Sequence, residues 1–286
     1  MAPLSLTDTV AVKHTTKRMP QLGFGVWTSP RDVCVTSVLN ALKAGYRHID
    51  TAQGYKNEAE VGEAVQKSGI PREDIWITTK FVTTGKTHEE MYESVVESVK
   101  KCDPREGGYV DLFLIHMAKP GKEGRRVLWE VLERLKEEGK AKTIGVSNWG
   151  PNHLEELKAY AKSWPPSVNQ IELHPWTQQK EVVKYCQAND IVVEAYCPIA
   201  RNQKADDPTL SGIARDLGVT PNQVLLRYSL QKGWVPLPKS DNPDRMKMNA
   251  DLYGFEITDE QMAKLDALDQ GEQGACCPEN IPDNIA

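Results

Sequence analysis

The feature that most constrains this chain is an alternation: short apolar runs ending in a polar residue, each followed by a longer segment of helical period. The runs are Tyr46-Arg47-His48-Ile49-Asp50, Ile75 to Lys80, Val110 to His116, Lys142 to Asn148, Val168 to Glu172, Ile191 to Tyr196 and Trp234 to Pro238, preceded by a first near Leu22 to Gly25. Between them lie helical stripes such as Met91, Val95, Val99, Cys102 and Leu128, Val131, Leu132, Leu135. Strand alternating with helix predicts βαβ units on a parallel sheet. Eight strands fit a closed barrel, so the expected fold is α/β, a (β/α)8 barrel spanning residues 1–286 as one domain. An open doubly wound sheet is the alternative. Thr9 to Met19 is expected to form a hairpin plugging the barrel base, and the last fifteen or so residues an irregular tail that leaves the pocket fairly open.

Helix starts carry capping signals. Thr87 with Glu90, Thr220 with Gln223 and Thr258 with Gln261 have capping-box spacing, and Ser29-Pro30 reads as a capping hydroxyl before a first-position proline. Gly23-Phe24-Gly25 lacks the third glycine of a dinucleotide-binding fingerprint, Thr28 standing in its place.

Composition excludes several classes. A formal net charge of -5 leaves no cationic surplus for nucleic acid or an anionic membrane, so an anionic ligand needs a local cluster of cations. No apolar stretch is long enough to span a bilayer and no secretory leader is visible, so a cytoplasmic location is expected. The six cysteines form no C-x-x-C pair and there is no H-E-x-x-H, so no metal site is expected; adjacent Cys276 and Cys277 read either as a redox pair or as plain tail residues.

In a barrel of this type the site forms at the C-terminal strand ends. Three runs end there in Asp50, Lys80 and His116, and Tyr55 follows Asp50 in the next loop. Asp50 can pair Lys80, since a buried lysine is costly alone. The ammonium favours phenolate at Tyr55, predicting a phenol acidified below its ordinary value of about 10 and able to protonate a carbonyl oxygen. His116 can donate a hydrogen bond to the same oxygen. After the last strand, Lys239, Ser240 and Arg245 offer two cations and a hydroxyl suited to a phosphate.

The chain resembles the aldo-keto reductase superfamily over nearly its whole length. Gly45 to Ala52 with Tyr55, Asn57 and Glu58, Leu114-Ile115-His116, Ile144 to Asn148, and Lys239-Ser240 with Arg245 and Asn249 match that family's motifs in order. The resemblance implies reduction of aldehydes or ketones by a tetrad of Asp50, Tyr55, Lys80 and His116 with Tyr55 as acid, and the open pocket expected from the short tail extends the expected substrates to sugars. It also implies NADPH/NADP+ held by Ser147, Asn148 and Gln170 at the carboxamide, Tyr196 stacked on the ring, and Asp50 near the ribose. Lys239, Ser240 and Arg245 take the 2′-phosphate, Asn249 meets the adenine, and Trp27 lines the substrate pocket. Met117 stands where many members have a pocket tryptophan, and Met248 where many have a glutamate on adenine. Cys197 replaces a common serine and Gln53 a frequent small residue. The expected partner is a small carbonyl substrate, with a monomer or weak homodimer. Two readings compete: a Schiff-base aldolase using Lys80, and a non-catalytic NADPH-binding regulatory subunit.

Overall fold

The computed structural model describes residues 4–82 and 87–282; the two ends of the expected 1–286 domain and the end of the tail lie outside them. A two-stranded antiparallel hairpin, β1 (Thr9–Val10) and β2 (Met19–Pro20), precedes eight parallel strands. These are β3 (Phe24–Gly25), β4 (His48–Asp50), β5 (Trp76–Phe81), β6 (Val110–Ile115), β7 (Ala141–Ser147), β8 (Val168–Glu172), β9 (Val192–Tyr196) and β10 (Val235–Pro236). They pair in sequence order. Two backbone bonds from the first segment to the last, Gly23 N to Pro236 O at 3.1 Å and Gly25 N to Pro238 O at 3.0 Å, close the barrel. The (β/α)8 expectation is met, each predicted run overlapping one strand.

Strand periodicity divides the interior. In β6, Leu112 and Leu114 belong to an inner cluster with Trp76, Val168 and Val235, whereas Phe113 and Ile115 join the layer between sheet and helices. Val12 and Met19 of the hairpin complete the inner cluster. Lys17 Nζ donates to Ile75 O at 2.9 Å and Asp111 Oδ1 at 2.6 Å, and Thr143 and Ser167 donate to Lys13 O. All these partners lie at or near strand starts, so the hairpin seals the N-terminal end. The same alternation turns His48 and Asp50 inward around Ile49, Thr78 and Lys80 around Thr79, Gln170 beside Ile171, and Glu194 beside Val193. Above an apolar floor the barrel therefore carries a buried polar layer.

The three predicted capping boxes form, at Thr87, Thr220 and Thr258. The Ser29 cap does not. Helix α1 (Arg31–Lys43) begins one residue later with Pro30 at its N-cap, because the Ser29 hydroxyl donates instead to Asp241 Oδ1 at 2.7 Å. Ser37 donates to the same oxygen and Lys239 to the other, so Asp241 ties α1 to the segment after β10.

The C-terminal tail is also tighter than expected. Gln270 N donates to Trp176 O at 2.9 Å, and Thr177 Oγ1 to Gly271 O at 3.0 Å. Gly274 packs so close that a Cβ there would lie 2.0 Å from Trp176 O. The tail is seated on the β8 loop and walls the pocket rather than leaving it open. Among the described residues no helix is long and apolar enough to cross a membrane.

Candidate active site

A cavity of about 620 Å³ opens at the C-terminal strand ends. It is lined by Asp50, Tyr55, His116, Met117, Ser147, Asn148, Gln170, Tyr196, Lys239 and Trp27, uniting most predicted site residues.

Lys80 is fully buried at the inward C-terminal end of β5. Its Nζ donates to Asp50 Oδ1 at 2.6 Å, to Thr51 O at 2.8 Å and to the Tyr55 hydroxyl at 3.3 Å. All three ammonium protons are thereby used. Burial acts to lower the Lys80 amine, but Asp50 and Tyr55 outweigh it and raise it, so it stays an ammonium. A protonated amine is not a nucleophile, which disfavours the Schiff-base reading. Burial also pushes the Asp50 carboxyl up, opposed by Lys80 and by Gln170 Nε2 at 2.8 Å.

The expected acidification of Tyr55 is not what the environment produces. Burial pushes the phenol above its ordinary value, and the Lys80 ammonium offsets this only in part. Tyr55 is therefore a protonated phenol at neutral pH, already charged as an acid, with a cation beside the oxygen where negative charge develops. His116 stands edge-on to it, ring centroids 5.7 Å apart at 75°. Burial, then Lys80, pushes its imidazole down to about 3, leaving it neutral.

The wall beyond is wired by Asn148, which adopts a left-handed conformation (φ 61°) that asparagine tolerates. Its Nδ2 donates to His116 O at 3.1 Å and to Met117 Sδ at 3.2 Å, and its Oδ1 accepts from Tyr196 OH at 3.0 Å. Ser147 Oγ donates to Gln170 O at 2.8 Å. Asn57 and Glu58 are braces: Asn57 Nδ2 donates to Val26 O, and Glu58 accepts from Thr79 and Ser98. Gln53 reaches α2 (His88–Cys102), donating to Ser94 Oγ at 2.7 Å.

Trp27 is 45% exposed and lines the cavity, which rules out a packed-core role. Ser240, Arg245 and Asn249 lie outside the cavity wall, Ser240 just before helix α3 (Pro243–Ala250) and the other two on it, with Arg245 exposed and Asn249 buried. Lys239 lines the cavity but pairs with Asp241 at 2.5 Å, so part of its charge is already neutralised. The donor set fits an elongated anionic ligand: amides, a hydroxyl and a flat phenol ring at the deep end, and cations toward α3.

Sequence reasoning missed several lining residues. Arg201 carries its guanidinium 4.6 Å from the Trp27 ring and donates to Cys277 Sγ at 2.8 Å. Lys119, Cys277, Glu279 and Asn280 also line the wall. Arg201 and Lys119 follow strand ends and were findable by that rule. The tail residues had no such signal.

Glu194 was also missed. Gln170 Nε2 bridges it to Asp50, donating to Glu194 Oε2 at 2.7 Å. Burial, with the Asp50 charge adding, pushes its carboxyl up to about 8. An unfolded chain releases this proton near 4.5 and the native state holds it to about 8, so stability falls as pH rises through that window. The slope is at most ~1.4 kcal/mol per pH unit. Urea midpoints across the window should decline less steeply for Glu194→Gln than for wild type; parallel curves would contradict this.

A model of the aldo/keto reductase family matches residues 21–270. The chain belongs to the aldo/keto reductase family. Among relatives of this aldo/keto reductase, glyoxal reductase of Bacillus subtilis is 40% identical over 281 residues, covering 98% of this chain and 99% of that one. Glycerol 2-dehydrogenase (NADP(+)) of Saccharomyces cerevisiae is 34% identical, covering 98% of each. The crystal structure of an aldo/keto reductase from Brucella melitensis superposes with TM-score 0.86 at 40% identity, covering 92% of this chain and 100% of that one. This aldo/keto reductase is accordingly an oxidoreductase of a carbonyl-reducing family whose members use nicotinamide cofactors.

Proposed function

We propose that this enzyme reduces aldehydes or ketones to alcohols with NADPH, and that Tyr55 is the proton donor. The observation that carries the reading is the buried Lys80 ammonium, 2.6 Å from Asp50 and 3.3 Å from the Tyr55 hydroxyl beneath the cavity. When bound, the dihydronicotinamide supplies hydride to the carbonyl carbon. Tyr55 gives its proton to the carbonyl oxygen, and Lys80, held by Asp50, stabilises the phenolate left behind. Neutral His116 donates a hydrogen bond that orients the same oxygen. Trp27 and Met117 supply apolar walls for the substrate.

The cofactor would lie along the wall. Ser147, Asn148 and Gln170 would hold its carboxamide, and Tyr196 would offer the ring a flat face. Gln170 already spends its amide nitrogen on Asp50 and Glu194, so its carbonyl oxygen is the group left to a ligand. Lys239, Ser240 and Arg245 would hold the 2′-phosphate, and Asn249 would meet the adenine.

Purified protein should consume NADPH with a reactive aromatic aldehyde such as a nitrobenzaldehyde. A chain that binds NADPH without turnover would instead fit the regulatory-subunit reading. Arg245→Ala should weaken NADPH binding roughly 10-fold or more, the worth of one charge-assisted bond, and leave NADH binding unchanged. Equal loss for both cofactors would count against the phosphate assignment.

A further inference from the structure

Behind the pocket wall lies a cluster the proposed chemistry does not use. Glu172, the last residue of β8, is fully buried, and the basic side chain against it among the described residues is His174. Its Oε1 meets His174 Nε2 at 2.9 Å, and its carboxylate accepts the backbone N–H groups of Cys276 and Cys277. His174 is also fully buried, and its Nδ1 has no hydrogen-bond partner among the described residues, so every hydrogen bond on the ring is made at Nε2. Cys276 Sγ lies 3.9 Å from His174 Nε2 and 3.8 Å from Gln203 Oε1. The carboxylate, imidazole and thiol ligand atoms all fall within 4.8 Å of one another.

We propose that Glu172, His174 and Cys276 form a binding site for a borderline-soft divalent cation, Zn2+, which clamps the C-terminal tail onto β8. Zinc takes sulfur, nitrogen and carboxylate oxygen at about 2.0–2.3 Å in tetrahedral array, which sets its ligand atoms roughly 3.3–3.8 Å apart. The Nε2–Sγ separation must close and the Nε2–Oε1 contact must open, each by a few tenths of an ångström, as the metal enters. Gln203 Oε1 or water completes the fourth position. Sulfur and nitrogen together disfavour Mg2+ and Ca2+. Binding releases the thiol proton, while the imidazole proton facing Glu172 moves to Nδ1 and frees Nε2 for the cation. A thiolate beside a buried carboxylate is otherwise two like charges in apolar surroundings, and a dication between them turns repulsion into attraction.

The consequence reaches the pocket. Cys277, Glu279 and Asn280, just beyond Cys276, form part of its wall. Metal at Cys276 would hold that wall against the barrel, whatever carbonyl the enzyme reduces.

The test uses full-length, reduced, chelator-treated protein titrated with Co2+ as spectroscopic probe. One equivalent should give a thiolate-to-cobalt charge-transfer band with tetrahedral visible absorption, lost on adding Zn2+. Cys276→Ala, at the partly exposed member, should abolish the band while far-UV circular dichroism stays native; Cys277→Ala should keep it. Absence of a band, uptake only at millimolar cobalt, or a band that survives Cys276→Ala would overturn the proposal. A band lost instead in Cys277→Ala would place the ion elsewhere and equally overturn it.

Discussion

Tyr55→Phe should lower kcat/KM for an aromatic aldehyde by about 10²–10⁴-fold, the usual worth of one positioned proton donor. The change removes one oxygen and little else. Lys80 loses its 3.3 Å contact but keeps Asp50 and Thr51 O, and the ring keeps its edge-on packing with His116. Stability should therefore move by only about 1 kcal/mol. His116 cannot take over, because an imidazole held at about 3 has no acidic proton to give at neutral pH. NADPH affinity, read by fluorescence titration, should be unchanged, since every contact assigned to the cofactor lies on other residues. A loss arising from weaker NADPH binding would move Tyr55 from the chemistry to cofactor retention.

Lys80→Met should damage both function and fold. It leaves the Asp50 carboxylate, 4% exposed, without its cation, and breaking one side of a buried pair costs about 3–5 kcal/mol. For a chain of this size that lowers Tm by roughly 10 °C. Asp50→Asn alone strands the ammonium at similar cost. The double variant, Asp50→Asn with Lys80→Met, should regain much of the lost stability because no uncompensated charge remains. It should regain no activity, since nothing then stabilises a phenolate at Tyr55. Thermal melts beside aldehyde turnover for the four proteins separate the two roles. Turnover restored in the double variant would show the pair to be structural only.

The fold was legible because its signal is local. Each strand is a short apolar run, and the period-two alternation that makes Phe113 face helices and Leu114 the barrel also aims Lys80 inward. Three of four helix caps were readable from adjacent residues. The fourth failed because Asp241, more than two hundred positions from Ser29, competes for its hydroxyl. Asp50, Lys80 and His116 were findable as polar ends of apolar runs, and Tyr55 as their loop neighbour. What stayed hidden depends on burial or on the tail. Proximity of an ammonium argues for an acidic phenol, but the size of the desolvation cost at Tyr55 appears only once the barrel closes round it. Glu194 looked like one more residue in a strand until Gln170 linked it to Asp50. Glu172, His174 and Cys276 share no sequence spacing that a metal motif would recognise, Cys276 lying 104 residues after Glu172.

The claim at the centre is that the proton reaching the carbonyl oxygen comes from the phenol at position 55. Single-turnover stopped-flow tests it most directly: NADPH is bound first at saturation, aldehyde is added, and nicotinamide absorbance is followed. Wild type should show a rapid first-turnover decay. Tyr55→Phe at equal cofactor occupancy should show none on that timescale, and a decay of wild-type rate would contradict the account.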